Sequence, residues 1–196
     1  MLIIKHRINS IEDLNNTPIE YGVEFDLHSY LDDLVVHHDP FVDATKFDMW
    51  LDYYKHSYMY ANVKEEGIEE TVIKKINNRG IKNYLLFDLS FPSIIKLSNN
   101  GFTKIALRVS KYEDINTAFK LIGKIDWVWL DMFEDIIPIS INEFKKLQSL
   151  GMKICIVSPE LHGRNYSSLN KVKSFIIEAN IKPDAVCTKY DSLWSL

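Results

Sequence analysis

The 196-residue sequence is 46% hydrophobic, enough for one full-sized core, and reads as a single domain spanning 1–196. A net charge of -4 offers no basic footprint for nucleic acid, and 7 glycines, none of them clustered, leave no phosphate-cradling glycine loop. The apolar stretch Met1–Ile4 is too short for a signal peptide and no segment is long enough to span a bilayer, so a cytoplasmic chain is expected, with Cys155 and Cys187 as reduced core thiols.

Taken in chain order, short apolar runs alternate with helical stretches. The first strand is Leu2–His6, followed by Asn9–Tyr21, which is hardly a full helix. The second strand is Gly22–Leu27. A further apolar run, Leu34–His38, follows so closely that it reads as a hairpin arm. The aromatic, amphipathic stretch Phe47–Tyr54 is helical, and the third strand is Tyr58–Lys64. Ile68–Asn78 follows Gly67 and opens with paired glutamates, as the positive end of a helix favours.

The strand Asn83–Leu89 leads into a helix over Ser93–Ser98 with Pro92 near its start. Then come the strand Lys104–Val109, the helix Ile115–Ile122, the strand Trp127–Asp131 and the helix Ile141–Leu150. Lys153–Val157, Leu169–Ala179 and Ala185–Lys189 complete the set, before an apolar tail, 193–196, expected to fold back onto the chain. Gly80, Gly101, Gly123, Gly151 and Asn180 stand where helices end, and these residue types tolerate the left-handed conformation found there. Eight strands alternating with helices define an α/β chain with a parallel sheet, and eight closes a (β/α)8 TIM barrel with some reduced helices. An open doubly wound sheet is the competing arrangement.

In barrels of this kind the chemistry lies at the C-terminal strand ends. Strand one ends in His6-Arg7. Strand two carries Glu24 and Asp26, two residues apart and so on one face. The arm ends in His37-His38-Asp39-Pro40, and strand three in Asn62-Val63-Lys64. Two buried carboxylates repel each other unless a cation compensates them. A hard divalent cation with oxygen ligands would do so, and so would an ion pair with Lys64 or Arg108. Histidines at the same mouth are suited to moving protons near neutral pH. Trp127, Trp129 and Asp131 share a face, where an aromatic could stack on a substrate or simply fill the core. Arg108, Asp88 and Asp131 read as an internal charge network.

The stretch Ile3–Pro40 resembles the glycerophosphodiester phosphodiesterase family, within the wider phospholipase C-like phosphodiesterase barrels. His6-Arg7 after an apolar strand, Glu24-Phe25-Asp26, and His38-Asp39-Pro40 occur in the family's order. The resemblance implies that His6 and His38 are the acid/base pair and that Arg7 and Lys64 hold the phosphate. It also implies that Glu24, Asp26 and the position of Asn62 bind magnesium or calcium. Trp129 is the candidate substrate wall. Three departures stand out. Ile8 replaces the glycine that usually follows His-Arg. The Glu-Asn-Thr motif is not evident, although Asn15-Asn16-Thr17-Pro18 lies nearby. Asn62 replaces the third metal-binding carboxylate.

The expected function is therefore a metal-assisted phosphodiesterase for a glycerophosphodiester or a related small phosphoglycerol-bearing molecule. The alternative is a catalytically silent barrel that binds a phosphorylated ligand or a glycan. A barrel enzyme of different chemistry, such as a sugar-phosphate lyase, is a third reading.

Overall fold

The computed structural model describes residues 1–134 and 137–194. Contacts divide the chain into two compact units, Ile4–Leu97 and Met1–Ile3 with Ser98–Leu196.

The first unit holds the exit of β1 (Leu2–Lys5), then α1 (Ile11–Asn16), β2 (Gly22–Tyr30), β3 (Asp33–Val36) and β4 (Thr45–Lys46). It continues through α2 (Phe47–Tyr53), β5 (Tyr58–Val63), α3 (Glu69–Asn78), β6 (Tyr84–Phe87) and most of α4 (Phe91–Asn99). β1, β2, β5 and β6 pair in parallel. β3 runs antiparallel against the far end of β2, so the second apolar run is a hairpin arm, as its spacing suggests. The two-residue β4, too short to show any alternation, pairs antiparallel with β3.

β2 is the spine of this unit, and its residues 22–28 are buried on both faces, as parallel strands covered on two sides must be. Phe25 stacks on Trp50 of α2 with ring centroids 4.2 Å apart and on Phe47 at 5.7 Å. That commits Val23, Phe25 and Leu27 to the helix-covered face. Glu24, Asp26 and His28 are turned by the same alternation to the other face. The indole of Trp50 donates to the Ile8 carbonyl at 3.2 Å, tying α2 to the loop that follows β1. α1 is the stunted helix anticipated after strand one. Ser10 caps it by accepting from the Asp13 amide, and it ends after six residues.

The second unit contains β7 (Ala106–Val109), α5 (Ile115–Lys120), β8 (Trp127–Leu130), α6 (Ile141–Ser149), β9 (Lys153–Val157), α7 (Tyr166–Glu178) and β10 (Ala185–Thr188). Its strands pair in parallel in chain order. The Leu2 amide donates to the Asp184 carbonyl at 2.8 Å, setting the start of β1 beside β10. A capping box between Ser140 and Glu143 opens α6. α7 begins earlier than its apolar periodicity suggests, because Asn165 accepts from the amides of Ser167 and Ser168 and starts the helix. The expected left-handed helix ends are present, down to Asn180 with φ of 48°. Cys155 and Cys187 are buried free thiols. In the tail, Trp194 is buried and its indole donates to Ser158 Oγ at 2.8 Å, while Ser195 and Leu196 lie outside the described residues.

Candidate active site

All the sequence-derived candidates except Trp129 lie in the Ile4–Leu97 unit. They converge on the face of β2 opposite Phe25. Strand register sets the centre: Asp26 pairs with Asn62 of β5 and Glu24 with Tyr60. Glu24 and Asp26 are each 1% exposed.

Each carboxylate oxygen meets a nitrogen. Glu24 Oε2 accepts from the Arg7 backbone amide at 2.7 Å. Asp26 Oδ2 accepts from Asn9 Nδ2 at 2.9 Å, and Asn9 Oδ1 in turn accepts from the Asp26 backbone amide, also at 2.9 Å. Asp26 Oδ1 lies 3.1 Å from the Lys64 ammonium. Between the two acids, Asn62 Nδ2 donates to Asp26 Oδ1 at 3.1 Å and to Glu24 Oε1 at 3.3 Å. This orientation turns the amide's NH2 group to both acids, whereas the opposite one would set a carbonyl oxygen against the Asp26 carboxylate. Lys64 therefore does pair with Asp26, one of the two ways of compensating the acids open from sequence. It also approaches Asp88 at 3.8 Å.

Burial, reinforced by the neighbouring Asp26 charge, pushes the Glu24 carboxyl up to about 8. The Arg7 amide, Lys64 and Asn62 pull the other way without cancelling it. Proton uptake by Glu24 is thereby favoured, beside the Lys64 ammonium on Asp26.

The histidines flank this pair. His6 Nε2 is 3.8 Å from Glu24 Oε2. His38 Nε2 is 2.7 Å from the Arg7 guanidinium, and its Nδ1 is 2.7 Å from Asp39 Oδ1. A guanidinium can only donate. Nε2 therefore accepts, Nδ1–H donates to Asp39, and His38 is held as the neutral tautomer with its lone pair on Nε2. The same bond holds the exposed Asp39 carboxyl below the usual range. His28, buried beneath the arm, places its Nε2 3.2 Å from the His38 carbonyl. Arg7 joins the two halves, its backbone on Glu24 and its guanidinium on His38. It does so from a left-handed conformation, φ 56°, and Asp88 is held similarly at φ 60°. Such strain in non-glycine residues concentrates at functional sites.

Trp129 lies on β8 in the other unit, 4% exposed, as is Trp127 beneath the Lys153 ammonium. Of the proposed charge network, Arg108 Nε and Asp131 Oδ2 are 3.8 Å apart. Asp131 is further bound by His162, a partnership the sequence reading did not include.

Asn9 is the residue sequence reasoning missed. A signal existed: Asn9-Ser10, an amide followed by a helix-capping hydroxyl, is the kind of pair that a Glu-Asn-Thr motif supplies. Asn15-Asn16-Thr17, noted as lying nearby, sits at the opposite end of α1.

The donor set suits a hard cation in part. Glu24 Oε1 and Asp26 Oδ1 both reach the point taken by Asn62 Nδ2, and the third potential oxygen ligand is the carbonyl of that amide. Among the described residues no group of three His, Cys, Asp or Glu side chains could hold a metal, so a third side-chain ligand beside Glu24 and Asp26 would have to be of another type, as Asn62 is.

A parallel-stranded α/β sheet with its polar cluster at the strand ends is the architecture of many enzymes. No family model and no curated protein matches this sequence. Solved structures do. A Galdieria sulphuraria protein provisionally named a glycerophosphodiester phosphodiesterase aligns over 99% of this chain and 98% of its own, with a TM-score of 0.72 at 12% identity. The glycerophosphodiester phosphodiesterase of Agrobacterium tumefaciens aligns over 98% and 97%, with a TM-score of 0.68 at 12% identity. A glycerophosphoryl diester phosphodiesterase of Parabacteroides distasonis aligns over 96% and 82%, with a TM-score of 0.63 at 14% identity. The α/β fold implied by the resemblance of Ile3–Pro40 is thus the fold of the whole chain.

Proposed function

We propose that this protein is a phosphoric diester hydrolase acting on a glycerophosphodiester or a related small phosphoglycerol-bearing molecule. The observation that carries the reading is the Arg7 bridge, which joins the buried Glu24–Asp26 pair to a histidine held in one tautomer. The fold shared with three phosphodiesterase structures supports the same substrate class.

His38 Nε2, released as the Arg7 guanidinium turns to the phosphate, takes the proton of the attacking oxygen, either water or a neighbouring hydroxyl of the glycerol. His6 returns a proton to the leaving alcohol oxygen. The Arg7 guanidinium and the Lys64 ammonium bind the non-bridging phosphate oxygens. Glu24, Asp26 and Asn62 would hold magnesium or calcium, whose charge would stabilise the negative charge that builds on phosphorus oxygens during cleavage. Among the described residues no helix is long and apolar enough to cross a membrane. A cytoplasmic setting, without a nucleic-acid partner, is part of this proposal.

The test is release of alcohol from glycerophosphodiesters with magnesium or calcium added. His6→Ala and His38→Ala should each lower kcat by roughly 10²–10⁴-fold. Full activity in either variant would remove that histidine from the mechanism. The silent-binder reading is favoured by one feature, the complete set of protein donors on Glu24 and Asp26. Calorimetry showing glycerol phosphate binding, with no turnover in either metal, would select it.

A further inference from the structure

We propose that Asn62 is a two-position amide. In one position its NH2 group clamps Glu24 to Asp26; after a half-turn its carbonyl oxygen ligates a divalent cation held by the same two carboxylates. The inference takes its choice of cation from the phosphodiesterase reading, but it concerns what this chain's own residue does at the centre of the pair.

Three observations carry it. First, Nδ2 donates to both carboxylates at once, at 3.1 and 3.3 Å, so this nitrogen stands at the point where the two acids converge. Second, the other end of the same amide, Oδ1, is buried and has no hydrogen-bond partner among the described residues. A buried carbonyl without a partner is costly, and a protein keeps one where something else uses it. Third, the remaining carboxylate oxygens are pinned from outside, Glu24 Oε2 by the Arg7 amide and Asp26 Oδ2 by Asn9. The acids are thereby fixed from outside, and a half-turn about the Asn62 Cβ–Cγ bond exchanges the two ends of the amide between them. Nitrogen and oxygen exchange places in that turn with almost no change of shape, because the two ends of an amide are nearly isosteric.

Neither hydrophobic residues nor carboxylates can do this. A carboxylate at position 62 has no hydrogen to offer, so three acids would converge and the site would need a cation or protons to fold. With asparagine, the donor is present in one position and the ligand in the other. The consequence is a site that is stable by itself and holds its cation weakly, because the third ligand brings no charge.

The experiment uses the full chain with Mg²⁺ or Ca²⁺ alone and no substrate. Thermal unfolding is followed in chelator and in added cation, and the cation Kd is measured by calorimetry. Wild type should unfold at nearly the same temperature in both media and bind weakly. Asn62→Asp should unfold several degrees lower in chelator, recover with cation, and bind it at least tenfold tighter. Equal affinity in the two proteins, or an unchanged melting temperature of Asn62→Asp in chelator, overturns the proposal.

Should that variant fail to fold in either medium, the side-chain amide of Asn62 in wild type is followed by ¹⁵N NMR during the same titration. Its NH2 resonances should move as the cation saturates. Resonances that stay fixed refute the turn. Hydrolysis of glycerophosphodiesters is scored separately. Cation linkage without turnover would sink the phosphodiesterase reading and leave this one standing, and turnover with no cation response would do the reverse.

Discussion

Each unit buries acid at its strand ends, but the two compensate it differently. Near β8, Asp131 is 5% exposed and bound to His162, with Arg108 Nε 3.8 Å away. One carboxylate there has two basic partners. On β2, Glu24 and Asp26 share one close ammonium, that of Lys64, and a neutral amide, with His6 Nε2 3.8 Å from Glu24. The first arrangement is electrostatically closed and behaves as a structural tie. The second sets two acids against one close ammonium, and burial together with the Asp26 charge raises the Glu24 carboxyl. The ratio of acids to close basic partners, more than burial, separates the β2 pair from the Asp131 tie.

That contrast can be broken in three further ways. The largest effect is expected for Asp131→Ala, which strands His162 and Arg108 and should cost about 2–3 kcal/mol in denaturant unfolding at neutral pH. No measurable cost would mean that the Asp131 network is not a tie.

Next comes pH. The folded-state pKa of Glu24, about 8, lies above its ordinary value of 4.5. The folded chain therefore binds more protons than the unfolded chain between those values. This contribution to stability is whole below the lower value and is lost as pH rises through the upper one. In chelator, the melting temperature should fall between pH 5 and pH 9 in wild type, and Glu24→Gln should flatten that slope. An identical slope in the variant would place the proton elsewhere.

The smallest effect is expected for Asn9→Ala. It removes the two bonds that Asn9 makes with Asp26 and should cost about 1–2 kcal/mol. The loss should appear at all pH values, unlike that of Glu24.

Much of this was legible before any coordinates. The alternation Glu24-Phe25-Asp26 already commits both acids to one face, because Phe25 must go to the helix layer; Trp50, 25 residues later in the sequence, receives it. The arm was recognised from its nearness to β2, and the helix ends from glycine and asparagine. What escaped was whatever required one segment to find another. Asn9 gives no sign of facing Asp26, 17 residues away, and nothing in the local sequence bends the Arg7 backbone into the left-handed region so that it reaches Glu24. The pairing of Asp131 with His162 likewise joins the exit of β8 to a short 3-10 helix after β9, which no periodicity relates.

Local chemistry thus determined the menu: which runs are strands, which face of β2 is polar, and which residues can hold protons, phosphate or a cation. The tertiary structure chose among the options by register. Placing Asp26 opposite Asn62 put a neutral amide at the one point where both acids converge. Side-chain type is a property of single residues, whereas a ratio of acids to basic partners belongs to a neighbourhood, and neighbourhoods exist only once strands from distant parts of the chain have paired.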